Sequence, residues 1–232
     1  MFPRKYLNIV KIILLVMDIS LKKFNRYVVY LISLFIISLG ASLSIKANLG
    51  TSPLICIPYV SSLIANLSVG TTSFIFSIIL IAIQVILLRG GFERRQFLQI
   101  VIGTIFSLFI DVTLMLINFI NPTDYISQVI VLLASCVVMA FGVLLEVKTE
   151  VVFIPGDGFI VTISKVLKKE FGKVKPYCDV SFVITAAILS FAFLGYLAGV
   201  REGTVISALI IGPIVRIFKK YIGGYVDALI EV

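Results

Sequence analysis

Six stretches of this chain run for 17 to 25 residues with few charges: Tyr27 to Ile45, Thr72 to Leu88, Gln96 to Ile120, Tyr125 to Val147, Tyr177 to Gly199 and Gly203 to Ile222. That is the length a helix needs to cross a hydrocarbon core about 30 Å thick. In lipid every backbone N–H and C=O must find its partner within the protein, so such runs are helices. Composition agrees, since 60% of the residues are hydrophobic and 14% charged. A water-facing domain needs about 25% charged residues to cover itself. The fold class expected is all-α: a polytopic membrane protein whose first partner is the lipid bilayer.

Two further apolar pieces are too short to cross. Pro53 to Leu67 lies between the first and second long runs, and Gly156 to Phe171 between the fourth and fifth. As helices they reach only ~23 and ~24 Å. Lys and Arg are enriched in cytoplasmic connectors, so their distribution decides whether these pieces span. If both are re-entrant and the amino terminus is cytoplasmic, 17 basic residues fall inside and two, Lys46 and Arg201, outside, with Arg216 within a helix; if both span, the split is 13 against six. The sequence therefore predicts six spanning helices plus two re-entrant half-helices, with both termini cytoplasmic in a bacterial inner membrane.

The short pieces sit inside an internal echo. Gly40 and Gly142, Lys46 and Lys148, Pro53 and Pro155, and Gly70 and Gly172 are each 102 positions apart. Between Gly40 and Leu88 the identity is thin, eight matches in 49 positions, but three fall on Gly or Pro where a helix breaks. A similar echo pairs Gly103-Thr104 with Gly212-Pro213 at another offset. With three crossings per unit, the second copy starts on the opposite side and is inverted. Inverted repeats whose broken helices meet near the midplane are a recurring plan of secondary transporters. The expected units are a basic amphipathic cytoplasmic segment (1–26), membrane repeat 1 (27–120), membrane repeat 2 (125–222) and a cytoplasmic tail (223–232).

Several functions are disfavoured. The net charge of +8 gathers in short connectors, not on a face that could track phosphates, so no nucleic-acid partner is expected. Histidine is absent, and Cys56, Cys136 and Cys178 are scattered in apolar surroundings as small core residues, so no metal, disulfide or cofactor is implied. No nucleotide-binding glycine motif is present. An enzyme is not expected.

Irregular backbone at membrane depth is tolerated only where it is buried in protein or lines a wet cavity. The breaks at Asn48-Leu49-Gly50-Thr51-Ser52-Pro53 and Phe153-Ile154-Pro155-Gly156-Asp157-Gly158 each lead into a short helix whose free N–H groups face inward. Proline suits such a start because its missing N–H is one of the orphans. Asn48, Gly50, Thr51, Ser52, Pro53, Pro155, Gly156 and Gly158 thus form a candidate substrate-binding set for an anionic group. The plain alternative is two headgroup-level loops with Ser52 and Asp157 as caps. Asp111 and Asp157 are candidates for proton or ion coupling, since an intramembrane acid is costly unless functional or paired. Asp111 has the second reading of a structural partner to Arg216 or a lysine. Lys46 and Lys148 are either charge partners of a bound anion or snorkelling residues, with Glu146 and Glu150 placed to neutralise Lys148. Asp179 reads as a helix-start cap, and Arg216 as a residue snorkelling with Lys219 and Lys220.

The motifs Pro155-Gly156-Asp157-Gly158, Lys168-Lys169-Glu170-Phe171-Gly172, Asp179, and Gly203-Thr204 with Ala208 and Gly212-Pro213 stand in a characteristic order, preceded by Leu49-Gly50-Thr51-Ser52-Pro53. In these the chain resembles the YczE-like family of uncharacterised bacterial multi-pass membrane proteins, similar in look to YitT-type proteins, over Tyr27 to about Tyr221. It departs in having Pro-Gly before Asp157 and Asp179 where Glu is commoner. The resemblance implies a polytopic, transporter-like inner-membrane protein and brings no established reaction. Two functions follow. One is a permease for a small anionic or zwitterionic solute, its site at the midplane between the repeats. The other is a non-transporting membrane partner, a substrate-capture subunit or a scaffold, working with another protein or as a homo-oligomer.

Overall fold

The computed structural model describes the backbone of residues 4–89, 91 and 94–231, and the side chains of 24–89, 91 and 96–230. Among the described residues the chain is helical: α1 (Arg4–Lys46), α2 (Pro53–Ala65), α3 (Val69–Leu88), a 3-10 turn (Arg94–Phe97), α4 (Leu98–Leu116), α5 (Tyr125–Thr149), α6 (Pro155–Leu167), α7 (Phe171–Leu194), α8 (Glu202–Tyr221) and α9 (Gly223–Glu231). Five stretches are long and apolar enough to cross a membrane: Phe24–Lys46 of α1, then α3, α4, α5 and α7. The sixth expected span, α8, has 20 residues but carries Glu202, Arg216, Lys219 and Lys220, which takes it out of that group.

The two short pieces are helices of equal length. Each has 13 residues, opens on proline at its first turn and closes on a left-handed residue, Asn66 (φ 52°) or Lys168 (φ 52°). The second begins one residue earlier than expected, at Pro155, so Gly156, Asp157 and Gly158 lie in its first turn and not in irregular chain. The proline ring fixes φ near the helical value and needs no N–H partner there. The fifth long helix also starts early. Pro176 marks its start in the sequence, yet α7 begins at Phe171 and carries Pro176 inside. Asp179 therefore sits two turns in and is not a cap.

Connections fix the direction of each helix. Lys46, ending α1, donates to Asn118 Oδ1 (3.1 Å) just beyond α4, so α1 and α4 finish at one face, called upper below. Lys148 near the end of α5 pairs with Asp227 of α9 at the opposite, lower face. α1 and α5 run antiparallel through the centre and make the most extensive helix pairing in the molecule. Their crossing is close because it passes over glycines. A Cβ on Gly40 would stand 2.8 Å from Met139 N, and one on Gly142 would stand 2.9 Å from Ile37 N. Ile37 and Met139 are themselves 102 positions apart, so each contact is the counterpart of the other.

The remaining pairings recur in the same way. α4 packs on α1 as α8 packs on α5, and α2 packs on α7 as α3 packs on α6. One pairing breaks the pattern: α3 packs along α4, whereas α7 and α8 barely touch. The Gly103/Gly212 echo follows this break, since Gly103 faces Pro155 and Ser77 while Gly212 has nothing within 4 Å.

Both ends are helical over their described length. Helix α1 continues unbroken through residues 4–26, and the side chains on which the amphipathic reading of 1–26 depends lie outside the described residues. The tail is not loose over its described length: α9 buries Val226 and Ile230 against Val29, Leu144 and Leu145. Burying two aliphatic side chains of this size is worth ~3–5 kcal/mol before ordering costs are subtracted.

Candidate functional site

The starts of the two half-helices meet. Leu54, in the first turn of α2, packs directly on Gly156, in the first turn of α6, where any side chain larger than hydrogen would overlap it. A narrow cavity of about 20 Å³ opens beside this contact, lined by Leu54, Ile55, Ser73, Ser77, Pro155 and Gly156 among others. That volume holds about one water. Each half-helix is held at its entry. Before α2, Thr51 N–H donates to Gly199 O (2.9 Å), Gly203 N–H to Leu49 O (2.7 Å) and Arg201 Nη1 to Asn48 O (2.9 Å). Gly50 takes φ +103° there, with a Cβ position that Thr204 would fill. Before α6, Tyr30 OH of α1 donates to Val152 O (2.6 Å) and Ile154 N–H donates to Glu146 Oε1 (3.0 Å).

Polar groups line this junction. Gln84 of α3 and Gln99 of α4 form a reciprocal amide pair (3.1 and 3.3 Å), and Gln84 Nε2 also reaches Pro155 O (3.3 Å). Thr162 OH donates to Gln84 Oε1 (3.4 Å), and Gly158 lies against the Gln99 amide. Ser52 Oγ, Ser73 Oγ and Glu146 Oε2 are buried without a hydrogen-bond partner. A buried polar group left unmatched costs about 1–3 kcal/mol, so three at one junction call for an explanation.

The charged residues of this region all belong to the second half of the chain. Asp157 in α6 accepts from Lys175 of α7 (3.2 Å), which also lies 3.6 Å from Asp179 one turn on. Both carboxylates are mostly buried and the ammonium is partly exposed. Glu146 is 3% exposed and accepts the Ile154 N–H at the α6 entry. The positions 102 residues earlier hold Ser44, Ile55, Ser73 and Ser77. The arrangement therefore has the same backbone at both tips but ionisable chemistry at only one.

Of the sequence-predicted residues, Thr51, Ser52, Pro53, Pro155, Gly156, Gly158 and Asp157 gather at or next to the junction. Gly50 is at the α2 entry. Asn48 is exposed at the upper face. Asp111 sits apart: its two oxygens accept from Gly70 N–H (2.8 Å) and Ser68 OH (2.7 Å), clamping the start of α3. Its partner is thus a helix terminus and not Arg216, which is exposed on α8. Lys148 is matched by Asp227, while Glu146 turns inward to Ile154. Sequence reasoning missed Tyr30, Ser73, Gln84, Gln99, Glu146 and Lys175 as parts of the site. The two glutamines had a signal, since an amide within an apolar run requires a partner; the rest are brought in by helix direction alone.

Five membrane-length apolar helices, half-helices meeting inside the bundle and polar groups buried between them define an integral membrane protein with several spans. The chain belongs to the family of unknown function DUF6198, whose model matches residues 24–220. It is also similar to the uncharacterized protein YyaS of Bacillus subtilis (strain 168), at 25% identity over 198 residues, 85% of this chain and 94% of that protein. No solved structure matches the chain.

Proposed function

We propose that the protein is a permease for a small anionic or zwitterionic solute, built as two inverted repeats (27–120 and 125–222). α8 is the sixth span, and α2 and α6 re-enter from opposite faces. The carrying observation is the meeting of Leu54 and Gly156 beside three buried, unmatched polar atoms. The recurrence of helix pairings and of the Gly40 and Gly142 contacts supports the repeat. Both termini, with residues 1–26 and α9, lie on the cytoplasmic side, the orientation that puts most basic residues inside. The polypeptide is a carrier and not an enzyme.

In this reading the first-turn N–H groups after Pro53 and Pro155, with Thr51 and Ser52, face the solute. Asp157 and Glu146 do the coupling, with Lys175 and Asp179 as the charges that hold Asp157 between steps. Asp111 serves the start of α3. α3 packs along α4 while α7 and α8 make little contact, the asymmetry a carrier needs if alternating access exchanges the two.

The test is flux into proteoliposomes of the purified chain, using labelled phosphate, succinate and alanine at several pH values. Saturable flux of at least one solute is expected, with its pH dependence changed by Asp157→Asn. Flux that is absent for all three, with a second protein retained through purification, overturns the permease in favour of the non-transporting partner. The small volume at the junction is the observation favouring that second reading, since about 20 Å³ admits no organic solute without movement of a half-helix.

A further inference from the structure

The upper face carries a second concavity, larger than the junction and separate from it. It has a volume of about 470 Å³ and is lined by Lys46, Asn48, Tyr59, Asn118, Asn121 and Thr123 with a few apolar neighbours. This lies within the roughly 300–1,000 Å³ typical of small-molecule sites. Its one cation is Lys46, whose Nζ touches only neutral oxygens: Asn118 Oδ1 (3.1 Å), Asn118 O (3.5 Å) and Asn121 Oδ1 (3.5 Å). Among the described residues no carboxylate lies within ion-pair distance of it. Asp124, the nearest acid in sequence to the lining, spends its oxygens on Ser127 at the start of α5. A lysine at the mouth of a pocket, matched by amides that can turn their N–H groups outward, is complementary to a negative charge.

The surroundings hold the pocket in shape. Asn48 stands at φ 54°, and its carbonyl is fixed by Arg201 from the α7–α8 connection. Arg201 is itself matched by Glu202 (3.1 Å), so of these two cations Lys46 is the one without a counterion among the described residues. Asn121 Nδ2 donates to Asn118 O (3.2 Å), which ties the segment after α4 into one wall.

We propose that this pocket is a binding site for an oxyanion group, carboxylate or phosphate, which Lys46 pairs and the Asn118 and Asn121 amides orient. The group is carried either by a free solute or by an anionic lipid headgroup, both of which reach this face. The site is distinct from the half-helix junction and requires no movement of either half-helix. Its existence does not depend on the permease reading, because binding is read on protein at rest.

The experiment uses the full chain in nanodiscs. In zwitterionic phosphatidylcholine discs, calorimetric titration with inorganic phosphate and with succinate reads the free-solute arm. In discs containing phosphatidylglycerol, native mass spectrometry of retained lipid reads the headgroup arm. Saturable binding in one arm is expected, weakened several-fold by Lys46→Gln and kept by Lys46→Arg, as the loss of one close charge pair at a partly exposed site requires. Asn121→Asp, an exposed change that adds negative charge beside Lys46, is expected to abolish it and serves if Lys46→Gln does not fold. Binding in neither arm, or binding indifferent to both Lys46→Gln and Asn121→Asp, overturns the proposal. Loss of flux with binding intact strikes the permease reading alone.

Discussion

Replacing Gly40 by alanine puts a methyl group 2.8 Å from Met139 N and 2.9 Å from Met139 Cα, on the partner helix's backbone. Ordinary carbon contacts lie near 3.5–4.0 Å, so α1 and α5 must part by roughly 0.6–1 Å at their crossing. No rotamer change relieves a clash with backbone. Overpacking of this kind costs about 1–3 kcal/mol, and the better helix propensity of alanine returns at most about 1 kcal/mol. A net loss of about 1–2 kcal/mol is expected. Gly142→Ala repeats the perturbation against Ile37 N at 2.9 Å and is expected to cost about the same. The two contacts are one turn apart on a single crossing, so separation forced by the first relieves the second. The double variant is therefore expected to lose less than the sum, by about 0.5–1 kcal/mol. Gly212→Ala is the control, since nothing lies within 4 Å of it. Denaturant or thermal unfolding in one detergent, following helicity, measures all four variants. If Gly40→Ala matches Gly212→Ala, or if the double variant is strictly additive, the close glycine crossing is not what joins the two halves.

Three other outcomes are expected. Lys175→Met leaves Asp157 and Asp179 facing each other without their shared cation, and should cost about 1–3 kcal/mol, a figure discounted for the partial exposure of Lys175; adding Asp157→Asn should return part of it, and failure to do so in unfolding experiments rejects the shared pairing. Glu146→Leu orphans the Ile154 N–H at about 1–3 kcal/mol, whereas Glu146→Gln keeps an acceptor and should fold with near-parental stability; equal loss in both would show that the N–H bond is not what fixes the α6 entry. Asp124 has its carboxyl held below the usual range by the Ser127 N–H and hydroxyl that bond it. A depressed value makes the cap fully effective above the ordinary carboxylate range and lost as pH falls through the lowered one. The melting temperatures of the parent and Asp124→Ala should therefore differ at neutral pH and converge in acid.

The positions of the half-helices were legible in the chain because their signals are local, although both helices end short of the predicted bounds, at Ala65 and Leu167. A proline that suits a first helical turn, an apolar run too short to span, and the 102-residue spacing all act on the backbone without help from elsewhere. The reading slipped where a local signal had two meanings. Pro176 looked like a boundary, but a helix can carry a proline by giving up one hydrogen bond, so α7 started six residues sooner. In α8 the charges near its end left length and apolarity in conflict.

Which groups share the junction was a matter for tertiary structure. Asp111 and Asp157 were both coupling candidates in the sequence, one deep in an apolar run and the other at a helix break. Packing gave Asp111 the N–H of Gly70 and gave Asp157 the ammonium of Lys175. Glu146 and Lys148 are two residues apart, yet they point to different sides of α5, one to Ile154 and the other to Asp227. The sequence by itself determined that helices must form and roughly where the chain breaks between them, because lipid leaves the backbone no other partner. Only the three-dimensional arrangement decided which side chains meet, because that depends on helix direction and rotation, quantities fixed by contacts between residues far apart in the chain.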